Sequence, residues 1–140
     1  MKKKTLAVLL ATMMLLSLMP VTAMAAESLP QAENGVITLT EDVTLSSTYE
    51  VTSGDVIIDL AGHTLAYKGT GGVFLNVKGG SLTIRDSVGT GVVTVSEPYD
   101  GTGVEGKTQT IRCVQVHAGA TFTLEGGTLT NTNTAFEATQ

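Results

Sequence analysis

Val51 to Leu65, VTSGDVIIDLAGHTL, decides the fold, because the chain states it again further on. The phrase returns as VKGGSLTIRDS from Val77 and, with one residue slipped, as VHAGATFTLEGGTL from Val116. At an offset of 26 the first two copies set Val51 on Val77, Gly54 on Gly80, Val56 on Leu82 and Ile58 on Ile84, so that apolar falls on apolar. The third copy follows the second at a wider interval, and the excess matches the length of the polar insert Ser96 to Thr108, SEPYDGTGVEGKT. Recurring phrases with loop-like inserts between them mark a stacked repeat architecture, in which each unit buries its apolar face against the next.

Outward from that phrase, the chain after Gly35 is a series of short β-rich runs, among them VITL, VFLNV, VVTV and TIRCVQV. Each is bounded by Gly, Asn, Asp or Ser, the residues that end strands, and none carries the i, i+3, i+4, i+7 spacing of an amphipathic helix. A β-sandwich would also give short strands, but it has no reason to repeat one phrase at matching glycines. The expected fold is therefore all-β: a single-stranded right-handed parallel β-helix of about four coils over residues 35–140, with the alternative being a β-sandwich. One coil corresponds to the interval from Val51 to Val77. Alternation turns Val56, Ile58, Leu60, Leu82, Ile84, Phe122 and Leu124 inward and Asp55, Ile57, Asp59, Thr83, Arg85, Thr121 and Thr123 outward. The same register puts Asp59 beside Arg85 as a surface ion pair. Glycine pairs at Gly71-Gly72, Gly79-Gly80 and Gly126-Gly127 suit corners with positive φ.

The segment up to Ala25 reads differently. Lys2 to Lys4, an apolar run from Leu6 to Met19 and Ala23-Met24-Ala25 form a secretory signal peptide cleaved after Ala25. The run is too short to span a bilayer, so no membrane insertion is expected after cleavage. Residues 26–34 read as a linker or N-terminal cap. Three of the eight Lys and Arg leave with the signal, so five basic residues stand against 13 acidic ones, a net charge of −8 that disfavours nucleic acid and anionic lipid. Cys113 is the one cysteine, so the exported fold is expected to hold without an internal disulfide. Among the β-branched neighbours of RCVQV it reads as a small buried apolar residue.

Candidate chemistry is sparse. Asp55 and Asp59 share a face but lie about 13 Å apart along one strand, too far for either carboxyl pair of a glycosidase. Arg85 with Asp86 is the one adjacent basic and acidic pair a lyase could use. His63 and His117 fall at corners and read as turn residues. Tyr99, Asp100, Thr102 and Glu105 in the insert could seat Ca²⁺ or stack on a sugar, without the spacing of a known calcium loop. Gly-Thr-Gly at Gly69, Gly89 and Gly101 opens no helix and reads as corners rather than a phosphate cradle. Aromatic side chains for sugar stacking are limited to Tyr49, Tyr67 and Tyr99. No catalytic, cofactor-binding or metal-binding residue is assigned, and no cofactor is expected.

The phrases GVITLTEDVTLSSTYEVTSGDVIIDLAGHTLAY, GGSLTIRDSVGTGVVTV and VHAGATFTLEGGTLTN together resemble the N-terminal part of secreted right-handed β-helix proteins of the pectin-lyase-like type found in Gram-positive gut bacteria. The resemblance covers the chain from about Gly35. It implies a cell-surface or secreted protein of an adhesive or glycan-binding kind, a polysaccharide or host glycan as partner, and further repeats beyond Gln140. The expected function is a non-catalytic structural, adhesive or weak glycan-binding segment. The alternative is the N-terminal fragment of a polysaccharide lyase or glycoside hydrolase whose catalytic coils are missing. The segment is expected to be incomplete at its C-terminal end, where an uncapped last coil would allow end-to-end self-association.

Overall fold

A computed structural model describes residues 25–69, 72–95 and 111–131. The insert from Ser96 to Thr108, with its Ca²⁺ and sugar candidates, lies outside the described residues, as do residues 1–24, where a signal peptide is expected. Among the described residues there is no helix, and all the regular structure is strand. The strands are β1 (Val36–Thr38), β2 (Val43–Leu45), β3 (Tyr49–Val51), β4 (Asp55–Asp59), β5 (Thr64–Tyr67), β6 (Val73–Val77), β7 (Ser81–Arg85), β8 (Val92–Val95), β9 (Arg112–Val116), β10 (Thr121–Leu124) and β11 (Thr128–Asn131).

They form three parallel sheets. Sheet 1 runs β1-β4-β7-β10, sheet 2 runs β2-β5-β8-β11 and sheet 3 runs β3-β6-β9. Each strand from β1 to β8 pairs in parallel with the strand three places on in the chain. The chain thus makes circuits through sheets 1, 2 and 3, and each circuit lies beside the last. No β-sandwich of antiparallel hairpins is present among these strands.

The sequence register holds where the phrase repeats. Val56 pairs with Leu82, Ile58 with Ile84 and Asp59 with Arg85, and Val51 with Val77. Val77 meets Val116 at the expected spacing, whereas Leu82 meets Phe122, one position beyond it. The slipped residue therefore sits between Val116 and Thr121.

The expectation of a uniform circuit length is corrected. Val36 pairs with Ile57 and Val43 with Leu65, both closer in the chain than Val51 is to Val77. Thr64 pairs with Val92, which is further along than the phrase predicts. Strands must stack for their backbones to bond, but the corners between them can differ in length at small entropic cost. That is why the first circuit, shorter and without the phrase, escapes a search for repeats.

Inside, apolar columns cross the circuits. Ile37, Ile58 and Ile84 share one column in sheet 1, and Leu65 and Val93 share another in sheet 2, with Ile58, Ile84, Leu65 and Val93 wholly buried. Burying a side chain of this size contributes about 1.5–3 kcal/mol. Two inward assignments change at the last circuit, where Leu124 is 42% exposed and Phe122 half-buried, because no described strand lies beyond β10 to cover them. Val56 is also half-buried. Tyr67, one of the three tyrosines counted for sugar stacking, is fully buried with its ring stacked on Phe74 at 4.9 Å. It lies on the inward alternation of β5 with Leu65, so the core takes the ring.

Candidate functional site

Two clusters of polar side chains stand out, one at a corner and one on a sheet face. The corner joins sheet 1 to sheet 2. Here Asp59, the last residue of β4, turns its carboxylate back into the bend. Its Oδ1 accepts N–H bonds from Ala61 and from Ser87 of the next circuit, both at 3.0 Å, and its Oδ2 accepts from Arg85 Nε at 3.0 Å.

The expected pairing with Arg85 is therefore present, but it is not a surface pair: the Asp59 side chain is 5% exposed beneath an Arg85 that is 43% exposed. A buried carboxylate needs such donors, since desolvation alone would favour its neutral form. Burial pushes the Asp59 pKa up, yet the bonds from Ser87, Ala61 and Arg85 outweigh it and hold the carboxyl below its ordinary 3.8.

Asp86 does the same one circuit on. Its Oδ1 accepts from Gly62 N–H at 2.8 Å and Val88 N–H at 3.3 Å, and its Oδ2 from Gly91 N–H at 2.6 Å. Desolvation raises its pKa, but the Gly91, Gly62, Gly89 and Val88 amides prevail and lower it. In the first circuit Asp42 accepts from Thr64 N–H at 2.8 Å.

These acids thus face the backbone. A general base must present a free lone pair to its substrate. Arg85 and Asp86, adjacent in sequence, turn to different partners, Asp59 and the corner amides. Asp55 accepts the Ser81 hydroxyl at 2.6 Å. His63 closes its turn through its backbone N–H to Leu60 O at 2.9 Å, and His117 O accepts Ala120 N–H at 3.1 Å, so both histidines stand at corners as expected. Among the described residues no three His, Cys, Asp or Glu side chains group so as to hold a metal ion. Cys113 is partly buried against the core, and burial pushes its thiol up to about 11, which keeps it protonated at neutral pH.

The second cluster is the outer face of sheet 3. Glu50, Asn76 and Gln115 are in register across three circuits, at the ~4.8 Å spacing of neighbouring strands. Asn76 Nδ2 donates to Glu50 Oε1 at 3.2 Å, and Lys78 Nζ lies 2.6 Å from the same oxygen. The Lys78 bond holds Glu50 below the usual carboxylate range against the opposing effect of burial, helped by Asn76 and His117.

His117 Nε2 lies 2.9 Å from Asn76 Oδ1, and Arg112 donates to Gln115 Oε1 at 3.4 Å. The result is a flat row of donors and acceptors, fixed by the ladder beneath and open to solvent at Glu50, Lys78, Arg112 and His117. Sequence reasoning passed over this row because it carries no motif. The signal was there: one step back from Val51 and Val77 the same register sets Glu50 on Asn76. Comparison with protein-family models, curated proteins and solved structures finds no match.

Proposed function

We propose that the chain is an exported, right-handed parallel β-helix segment that acts without catalysis, as a structural and adhesive element holding a polysaccharide or cell-surface glycan weakly. The observation that carries this reading is the Glu50-Asn76-Gln115 row with Lys78 and His117 beside it. Side chains already positioned by a rigid sheet lose little entropy on meeting a ligand, and paired donors and acceptors suit the hydroxyls of a sugar chain. Export is supported by the Lys2–Lys4, Leu6–Met19 and Ala23–Ala25 pattern. The engagement of Asp59 and Asp86 with backbone amides favours binding over turnover.

A glycan array probed with the exported chain, Ala26 to Gln140, tests the proposal. Retention of one glycan class without release of shortened products is expected. Asn76→Ala combined with Gln115→Ala should weaken that retention about tenfold, the effect of losing one to two net hydrogen bonds. Absence of binding across the array, or cleavage of the bound glycan, overturns it.

A further inference from the structure

A cleft of about 360 Å³ opens between the segment before β1 and the outer face of that strand, lined by Pro30, Gln31, Glu33, Val36, Thr38 and Thr40. Its size falls within the roughly 300–1,000 Å³ of small-ligand sites. The wall is tied at both ends. Residues 26–33 run from the edge of sheet 2, where Ala26 pairs with Val43, to the edge of sheet 1, where Glu33 pairs with Val36, and Leu29 between them packs against the core. Glu33 and Val36 exchange N–H bonds of 2.8 and 3.0 Å across Asn34 and Gly35. The φ values of those two residues, 51° and 80°, are the positive pair of a tight two-residue hairpin turn. The floor is β1 itself, held to β4 by its ladder. Ile37 and Leu39 are buried beneath it, so Val36, Thr38 and Thr40 alternate outward.

The lining carries one charge, and it is negative. Among the described residues the Glu33 carboxylate takes part in no ion pair. Glu27, Glu41 and Asp42 lie close by in the chain, and no Lys or Arg occurs between Ala26 and Tyr67. A carboxylate in such a field draws a cation. Around it the Thr38 and Thr40 hydroxyls and the Gln31 amide can each donate and accept hydrogen bonds, while Pro30 and Val36 offer apolar surface. The backbone adds to these: Val36 turns its N–H and C=O to Glu33, and the alternation of a parallel ladder turns those of Thr38 the same way. A ligand that meets all of these groups carries an ammonium, several hydroxyls and the apolar face of a ring.

We infer that the cleft binds an amino sugar with a free amine, its ammonium on the Glu33 carboxylate and its hydroxyls on Thr38, Thr40 and Gln31. A simple cation leaves the hydroxyls and the amide unused, and a neutral sugar leaves the carboxylate unpaired. The site is separate from the Glu50-Asn76-Gln115 row, which lies on sheet 3, and does not rest on that reading.

An amide chemical-shift titration of the chain Ala26 to Gln140 with a glucosamine disaccharide tests it. Saturable shifts at Glu33, Thr38 and Thr40 are expected. The dissociation constant should be at least tenfold lower than for the N-acetylated disaccharide, which lacks the charge, and than for butylamine, which lacks the hydroxyls. Glu33→Gln changes an exposed side chain and should weaken glucosamine binding about tenfold, the loss of one hydrogen bond to a charged group. Asn76→Ala combined with Gln115→Ala should leave it unchanged. No shift at the cleft, equal affinity for the N-acetylated sugar or for butylamine, full affinity in Glu33→Gln, or a loss in the sheet 3 variant overturns the inference.

Discussion

Two of the three kinds of corner that connect the sheets solve one problem in opposite ways. Between sheets 3 and 1 the chain turns in nearly constant length, over residues 52–54, 78–80 and 117–120. Successive turns therefore overlie each other and pair through their backbones. Lys78 N–H reaches Val51 O at 2.8 Å, Ser81 N–H reaches Gly54 O at 2.8 Å and His117 N–H reaches Val77 O at 2.9 Å.

Between sheets 1 and 2 the turns vary, spanning residues 60–63 in one circuit and 86–91 in the next. Backbones of unequal length cannot pair throughout, and the amides left over go to Asp42, Asp59 and Asp86. Polar backbone groups in a corner must all find partners, so a side chain serves wherever the repeat fails to supply a carbonyl.

The backbone-paired corner breaks at a methyl group. Gly80 has φ +73, and a Cβ there would meet Gly54 O and lie 2.7 Å from Gly54 N. We expect Gly80→Ala to cost about 3 kcal/mol or more, measured as a shift of the urea midpoint. Gly54 has nearly the same φ, +74, with nothing within 4 Å of its would-be Cβ. Gly54→Ala should cost only the left-handed strain of about 1–2 kcal/mol. Equal losses at both sites would show that stacking of the turns is not what fixes this corner.

The carboxylate corner breaks at a side chain. Asp59→Ala leaves the Ala61 and Ser87 amides without their acceptor and is expected to cost about 2–3 kcal/mol by the same measurement. Asp59→Asn, which keeps one acceptor oxygen, should cost less.

Acid sharpens the contrast further. Asp59 and Asp86 have folded pKa values below the ordinary 3.8, so their contribution is fully present above that value. It is lost as pH falls through the lower folded values. Thermal midpoints followed from pH 7 downward should hold through this contribution to about pH 4 and then fall. Asp59→Asn should flatten that fall, whereas Gly80→Ala should shift the whole curve down without changing its shape.

The smallest effect belongs to the sheet 3 face, where Lys78→Met removes an ion pair whose partners are each more than two-fifths exposed. Solvent screens such a pair. No measurable change in thermal midpoint is expected, and a clear loss would show the row to be structural and count against the proposed glycan role.

Much of this was legible in the chain itself, and the reason is periodicity. A column of stacked strands repeats its apolar positions, so Val51, Val77 and Val116, or Ile58 and Ile84, disclose their neighbours without any structure. The Glu50-Asn76 pairing was readable in the same way, though it takes the register to look for it. What the chain alone determined is the all-β class, the parallel order and the partners within the repeated phrase.

Only the tertiary structure decided the rest. The shorter first circuit, with Val36 beside Ile57, follows no repeated phrase. The burial of Asp59 depends on the amide of Ser87, one circuit away, in a turn whose length no local pattern predicts. That Ala26 covers Val43 at the edge of sheet 2 while Leu124 is 42% exposed is likewise set by which residue has a neighbour. Sequence records what recurs, and satisfying a hydrogen bond or covering an edge depends on groups that meet once.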